Sequence, residues 1–525
     1  MTKNYKVSVI DFETDPFEYG ADIAPFCAGF YDGDNYSDFW GDDCMIKLVE
    51  FLHTLKTPHY IYAHNGGKFD FVFLLRAGML DNPIKIIHGR IVSAKIGIHT
   101  LRDSYAILPV PLSAHKKDDI DYGVMKRSKR DKHKADILHY LAKDCEYLHE
   151  FVMGFIERFG IKLTAPSMAY SELKKITPQV QTNESFDNLF RQYYYGGRVE
   201  FFEQGIIEAD FKVYDVNSMY PFVMKTFNHP KGANCVITKS QVDSSGKLPG
   251  RLSDKVFFAE IEAISAGALP RREKDGLSFP NSNRRETFLA CSHEIQAGIE
   301  TGRLKSIRYK SIWYFSQSQT LGDFVDVFYE ERLAAKASGD KSRDLLAKLV
   351  LNSAYGKFGM NPREFYDYVL SSEVIPGFEC YADYGDFSIW RKPAPVNRFN
   401  NVAIAASITS AARATLLRGM AKADRVVYCD TDSLICAGMD TPHSATKLGD
   451  WKLEAKCDRA AIAGKKLYAL FDGAECVKMA SKGVRISPDD ILRVCRGETV
   501  TWKKESPSMG LSGATTYISR DIIMR

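Results

Sequence analysis

Residues 425–435 read Arg-Val-Val-Tyr-Cys-Asp-Thr-Asp-Ser-Leu-Ile, two β-prone apolar runs joined by a turn that carries Asp430 and Asp432. One Asp with a Gly satisfies an ordinary hairpin turn. Here two acids sit against Val426, Val427, Leu434 and Ile435, and carboxylates held at a packed edge are costly to desolvate unless a cation neutralises them. The chain must therefore fold so that this hairpin meets a cation. A partner acid is at hand in Asp215, which ends a strand over residues 211–214 and is followed by Val216-Asn217-Ser218-Met219-Tyr220-Pro221. Between these two elements, the helix predicted for residues 348–356 places Lys348, Asn352 and Tyr355 at i, i+4 and i+7 on one face, leaving Leu345, Leu349 and Ala354 for the core. A cation, an amide and an aromatic on one stripe suit a nucleoside triphosphate.

A separate acidic set lies near the N-terminus. Asp11 and Glu13 stand two apart at the end of a strand over residues 5–12, so both carboxylates point to one face. A second strand runs into His64-Asn65-Gly66-Gly67-Lys68-Phe69-Asp70, and a helix over residues 135–159 carries Tyr140 and Asp144. Four acids can converge. Hard divalent ions such as Mg²⁺ take several oxygen ligands, and two ions about 4 Å apart suit phosphodiester hydrolysis. Tyr140, one turn before Asp144, is placed to orient the attacking water.

The 525 residues are enough for roughly three or four domains. Hydrophobic residues at 45% and charged residues at 26% describe a globular chain, and a net charge of +4 does not announce a polyanion partner. Eleven cysteines, with no C-x-x-C pair, indicate neither a disulfide framework nor a zinc site, and a reducing cytosol is expected. No signal peptide or apolar run of about 18 residues is present, so no membrane partner is expected. The stretch 116–134, rich in Lys and Arg, reads as a solvated loop or a phosphate-contacting strip. A connector is expected near residues 177–185, an α/β region over 193–223 and irregular chain to about 282. Helices are expected at 324–337, 344–355 and 404–423, with a Pro/Gly/Asn-rich section at 360–401.

These motifs, in this order, resemble a family-B DNA polymerase of the protein-primed branch found in bacteriophages and linear-genome elements. Asp11-x-Glu13, Asn65 to Asp70 and Tyr140-x-x-x-Asp144 match three exonuclease motifs. Asp215 to Pro221, Lys348 to Gly356 and Tyr428 to Asp432 match polymerase motifs A, B and C. The resemblance implies an RNase H-like 3′-5′ exonuclease domain followed by a right-hand polymerase, in a multidomain α/β and α+β fold. Expected divisions are exonuclease 1–168, palm 169–228 and 403–482, a first terminal-protein-region insertion 229–322, fingers 323–358, a second insertion 359–402 and thumb 483–525.

The same resemblance implies that Asp215, the Val216 carbonyl, Asp430 and Asp432 serve two ions in one site, and Asp11, Glu13, Asp70 and Asp144 two in the other. The ions are Mg²⁺, with Mn²⁺ able to substitute. Tyr220 is implied as the steric gate against ribonucleotides, and Lys336, Lys348, Asn352 and Tyr355 as the triphosphate pocket. His64, Asn65, Phe69, Ser104 and Lys117 match positions that hold a single-stranded end or assist cleavage. Tyr194, Gly196 and Gly197 resemble a linker coordinating synthesis with proofreading, Thr409 and Arg413 a template-contacting motif, and Tyr428, Lys466 and Tyr468 a primer-contacting set. Two departures stand out: an extra Gly between Asn65 and Asp70, and Asp344 where a basic residue is expected, with Arg343 a replacement.

Implied partners are DNA template and primer, deoxynucleoside triphosphates and a terminal protein whose hydroxyl acts as primer. The protein is expected to be a monomer in the cytoplasm, that of a host cell if viral. The long interval from Asp215 to Lys348 offers the docking surface, with Arg271, Arg272, Arg284 and Arg285 its basic candidates. Residues 359–401 are expected to form a β-rich arm that closes around DNA through its aromatics with Arg391, Lys392 and Arg398. Competing readings are a nucleic-acid-primed polymerase, a 3′-5′ exonuclease with a decayed second half, and a non-catalytic fork-binding protein. A reverse transcriptase is disfavoured by the Asp-Thr-Asp spacing.

Overall fold

The computed structural model describes residues 5–16, 23–178, 182–232, 235–238, 247–274, 276–361, 364–393, 400–439, 441, 444, 447–504, 508–509, 511, 515–516 and 518–524. Arg398 lies outside them.

The N-terminal part is built on strands β1 (Lys6–Thr14), β2 (Pro25–Tyr31), β3 (Tyr36–Trp40), β4 (His59–Ala63), β5 (Asp81–Ile87), β6 (Arg90–Ile96) and β7 (His99–Asp103). Helices α1 (Cys44–Thr54) and α2 (Asp70–Arg76) flank them on one face. Helix α3 (Lys134–Phe159) covers the other, burying Ile137, Leu141, Cys145, Leu148, Val152, Phe155 and Phe159 at helical spacing. β1 pairs in parallel with β4, and β4 with β7, whereas β2 and β6 run antiparallel to their neighbours. The acids of β1 are therefore central in the sheet.

The sheet does not end within this part. Strand Tyr366–Ser371, from the segment expected to form an arm, pairs antiparallel with β5, Tyr368 opposite Ile86 and Leu370 opposite Ile84. Ser388–Pro393 and Glu379–Asp383 follow outward, giving ten strands in all. The segment is β-rich as expected, but it is anchored to the exonuclease-like sheet, and Leu370 is buried in that core.

Helices α4 (Ala165–Ile176) and α5 (Glu184–Arg191) lead to the second large sheet. Each is started by a side-chain cap, Thr164 accepting from the Ser167 amide and Asn183 from the Phe186 amide. The sheet has seven antiparallel strands, ordered Glu475–Ser481, Leu467–Asp472, Trp451–Gly464, β9 (Gly205–Val216), Ser433–Ala437, Arg425–Asp430 and β8 (Val199–Phe201). Helix α6 (Met219–Thr226) leaves the end of β9.

The stretch read as irregular to about residue 282 is instead a four-stranded antiparallel sheet of Cys235–Thr238, Leu304–Phe315, Phe257–Ala266 and Asn281–Cys291, backed by α7 (Ser292–Glu300). Its strand Phe257–Ala266 alternates buried and partly exposed residues over Ala259–Ala266, the period-2 signature of a half-buried strand that the turn residues on either side obscured. Helices α8 (Gly322–Ser338) and α9 (Lys341–Ser353) form an antiparallel hairpin, with Gly339 at φ 74° ending α8 and Asp340 capping α9. Phe328 of α8 lies near Phe159 of α3, and both helices share one core with α3, α4 and α10 (Val402–Met420). Past the palm-like sheet, α11 (Pro488–Cys495) opens with a Ser487–Asp490 capping box. Among the described residues no helix is long and apolar enough to cross a membrane.

Candidate active sites

In the first site, the ligand oxygens of Asp11, Glu13 and Asp144 lie within 4.8 Å of one another. Asp70, at the start of α2, lines the same cavity of about 630 Å³ with His64, Asn65, Phe69, Lys117 and Tyr140. Burial, with Asp70 and Glu13 nearby, raises the Asp11 carboxyl well above its ordinary range. Burial and then Asp144 push Glu13 up to about 8, and burial pushes Asp70 up to about 7. One oxygen each of Asp70 and Asp144 is buried with no hydrogen-bond partner. Four crowded acids with high proton affinity and two orphaned oxygens fit hard divalent cations.

The extra glycine has a steric reason. A Cβ on Gly67 would stand 2.0 Å from the carbonyl oxygen of Ile91, so the 3₁₀ turn Gly66–Lys68 packs too closely on β6 for a side chain at this position. Asn65 precedes it at φ 61° and accepts a hydrogen bond from Arg90 at 2.8 Å. His64 Nδ1 shares a 3.0 Å hydrogen bond with Ser104 Oγ, which leaves its buried Nε2 unpartnered. Burial depresses the His64 pKa to about 4 and keeps the ring neutral. Ser104 is fully buried and also donates to the Ala63 carbonyl, which places it behind His64. Lys117 Nζ approaches Asp144 to 3.6 Å and lies 5.6 Å from the Tyr140 ring centre. The Tyr140 hydroxyl meets Tyr122, a residue the sequence did not single out, at 3.2 Å. In the basic stretch, Arg127 and Arg130 clamp buried Asp15 at 2.7 and 3.1 Å, so neither is simply a solvated loop cation.

The second site forms where β9 meets the acidic hairpin. Ser433 is opposite Asp215 in the sheet, and the Val216 amide donates to the Asp432 carbonyl at 2.8 Å. The turn requires Thr431 at φ 59°, fixed by its amide donating to the Arg198 carbonyl at 2.6 Å. A Cβ on Gly197 would meet Thr431 Oγ1 at 2.7 Å, so this glycine packs under the turn. Burial, with Asp432 adjacent, pushes Asp215 up to about 7, and burial pushes Asp432 up to about 6, with Asp430 adding to it. Asp430 instead engages Lys466, whose Nζ donates to it at 2.9 Å. The Lys466 amide donates to the Tyr428 hydroxyl at 2.8 Å. Tyr428 and Tyr468 are buried with ring centres 5.0 Å apart, and Tyr428 supports Lys466 through that bond. Glu454, missed by the sequence reading, acts electrostatically on both Asp215 and Asp432 and is bonded to Lys478 and Lys452.

Tyr220 and Tyr355 stack at 4.2 Å and 11°. The α-helix ends at Ser353 and Tyr355 rides on a following 3₁₀ turn, a small departure from the helix expected through Gly356. Lys336, Lys348 and Asn352 are exposed on the α8–α9 hairpin. Asp344 is neutralised by Arg332 at 2.9 Å, which also donates to Ser218 at 3.1 Å, while Arg343 pairs with Glu331. Arg332 thus ties the hairpin to the residues after Asp215. Tyr194 packs beneath Gly359 and its carbonyl accepts from Arg272, while Arg271 is paired with Glu273 and Glu286. Of the four arginines expected to meet a partner, Arg284 and Arg285 are exposed and make no ion pair among the described residues.

Thr409 and Arg413, expected to contact a template, are bonded inside the protein. Both are buried in α10, and the Thr409 hydroxyl donates to the Ala406 carbonyl. Arg413 makes a bidentate pair with buried Glu294, at 2.7 and 3.1 Å, and donates to the carbonyls of Tyr195 and Gly196 at 2.8 and 2.7 Å. It clamps the linker that Gly196 and Gly197 belong to.

Two groups of buried carboxylates on two sheets, one beside a lysine-bearing helical hairpin, define a metal-dependent phosphoryl-transfer protein. Residues 111–447 match the family "DNA polymerase type B, organellar and viral", and the chain belongs to that family of DNA-directed DNA polymerases. It is 42% identical to the DNA-directed DNA polymerase of Enterobacteria phage PRD1, covering 99% of this chain and 98% of that one. It is 26% identical to the DNA polymerase of Bacillus phage phi29 over 95% and 93% of the two chains. The phi29 DNA polymerase structure with primer-template DNA and incoming nucleotide superposes with a TM-score of 0.74 over 99% of this chain and 100% of that one, at 21% identity. The fold is thus the expected RNase H-like domain joined to a right-hand polymerase.

Proposed function

We propose that this polymerase both extends and proofreads, degrading 3′ ends in the first site, and that it copies a linear genome by strand displacement from a terminal-protein primer. The observation that carries the reading is the presence of two separate sets of buried acids in one chain, one per sheet. Asp215, Asp432 and the Val216 carbonyl would hold two Mg²⁺ in one site, and Asp11, Glu13, Asp70 and Asp144 two in the other, with Mn²⁺ able to substitute. Such ions lower the pKa of a bound hydroxyl or water and neutralise charge on the leaving oxygen.

The chain's residues do the positioning. Lys348 and Lys336 meet triphosphate oxygens as the α8–α9 hairpin swings toward the palm, and Asn352 and Tyr355 line the base pair. Tyr220, held by Tyr355, lies under the sugar and excludes a 2′-hydroxyl. Lys466, oriented by Asp430 and Tyr428, holds the primer end. In the exonuclease site, Phe69, Asn65 and His64 seat a single-stranded end, and Lys117 and Tyr140 orient the attacking water. We assign residues 1–168 to the exonuclease, 169–228 and 403–482 to the palm, 229–322 to the first insertion, 323–358 to the fingers, 359–402 to the second insertion and 483–525 to the thumb. The protein acts as a monomer in the host cytoplasm.

Protein priming is tested by incubation with a candidate terminal protein, template ends, Mg²⁺ and one labelled deoxynucleotide, followed by denaturing electrophoresis. Covalent label on the partner supports it. Extension of oligonucleotide primers with no labelled partner leaves a nucleic-acid-primed enzyme.

A further inference from the structure

The cavity holding Asp11, Glu13, Asp70 and Asp144 is lined by one residue from the far end of the chain, Arg485. Three cationic side chains face this cavity. Lys117 is drawn to Asp144, and Arg90 donates to Asp103 at 2.5 Å and to Asn65. Arg485 is exposed and its side chain makes no ion pair or hydrogen bond among the described residues. It is therefore the cation there whose charge no carboxylate of the protein has claimed.

Its position in the chain is informative. Arg485 lies between strand Glu475–Ser481 and the Ser487 cap of α11. Three residues earlier, the Lys482 amide donates to the Lys466 carbonyl at 3.0 Å, and Lys466 is the residue bonded to Asp430 in the polymerase site. Three residues of extended chain span at most about 10 Å. One short connector thus has a polymerase-site lysine at one end and an unclaimed guanidinium in the exonuclease cavity at the other.

We propose that Arg485 binds a backbone phosphate near the 3′ end of a single DNA strand seated in the exonuclease cavity, so that the polymerase half contributes a substrate-positioning residue to degradation. A planar guanidinium with free donors matches a phosphate diester by paired hydrogen bonds. With two divalent ions offsetting the four acids, and Lys117 and Arg90 drawn to Asp144 and Asp103, Arg485 is the lining cation left to meet a phosphate of the strand. The proposal rests on the exonuclease reading of this cavity.

The test uses the full-length protein with Arg485→Ala and Arg485→Lys, following degradation of a labelled single-stranded oligonucleotide across concentrations and salt. Expected for Arg485→Ala is a KM raised about tenfold with kcat little changed, and a salt slope shallower by about 0.7, the value of one released single-strand phosphate contact. Arg485→Lys should recover much of the KM and most of the slope. Unchanged KM and slope, or a loss confined to kcat, would overturn the assignment. Asp11→Ala with Glu13→Ala separates the two levels of argument. If that variant still degrades DNA, the exonuclease reading of the cavity itself falls; if it does not while Arg485→Ala behaves as the parent, only the role of Arg485 falls.

Discussion

The buried pair of Arg413 and Glu294 gives the sharpest quantitative expectation. Both side chains are nearly inaccessible, at 3% and 2%, and the guanidinium donates to two carboxylate oxygens and two carbonyls. Glu294→Ala leaves a buried cation without its counter-charge, which costs about 3–5 kcal/mol. That is a factor of roughly 10² to 10³ or more in the local opening equilibrium. Amide hydrogen exchange along α10 and at residues 195–197 should accelerate by that factor, since those amides are protected by the element the pair holds together. Arg413→Met strands the carboxylate instead and should show a comparable loss. The double variant should be milder than the sum, because two apolar side chains replace the pair, although the Tyr195 and Gly196 carbonyls still lose donors at about 1–3 kcal/mol each. A template contact predicts a different pattern: unchanged exchange, weakened duplex binding and a salt slope shallower by about 0.9. Finding that pattern for Arg413→Met would refute the clamp.

Asp11→Ala with Glu13→Ala should abolish 3′-5′ degradation and leave primer extension within a few-fold, read on one gel with labelled primer; loss of both activities in a cooperatively folded variant would contradict two independent sites. The raised carboxyls of Asp70, Asp215, Asp432 and Glu13 set a pH dependence. Between their ordinary values near 4 and their folded values of about 6 to 8, the folded state binds more protons than the unfolded one, so metal-free stability falls as pH rises through that window. Denaturant unfolding at both ends of it, with and without Mg²⁺, checks this, Mg²⁺ helping most at the alkaline end; equal metal-free stability at the two ends would count against it. Tyr220→Val should raise ribonucleotide use relative to deoxyribonucleotide, and an unaltered preference would remove Tyr220 from the gate.

The acidic hairpin and the long helix α3 were legible because each is a local pattern. Asp430 and Asp432 between apolar strands, and the apolar stripe from Ile137 to Phe159, carry their reason within a few residues. The burial of Arg413 was legible too, though it was not read: α10 is Ala, Ser, Ile and Leu on nearly every face, and an arginine in a helix with no polar face must be paired inside. The alternation of Phe257–Ala266 was likewise present. Other features have no local signature. Arg485 reaches the cavity of Asp11 and Asp144, Glu454 influences Asp215, and Tyr366–Ser371 pairs with β5, each through contacts between distant segments that only the folded chain brings together.

That last pairing bears on how divisible the enzyme is. An N-terminal fragment stopping near residue 168 would retain every acid of its site yet lose Leu370 from its core and leave Ile84 to Ile86 of β5 as an open, apolar sheet edge. Such an edge accepts whatever strand it meets, which for a purified fragment is another copy of itself. The halves named by their chemistry are therefore not modules in the sense of pieces that can be cut apart, shuffled or inherited separately. A peptide spanning Tyr366–Pro393 would have to travel with the fragment, and over evolutionary time this segment cannot be shed without exposing the edge of β5.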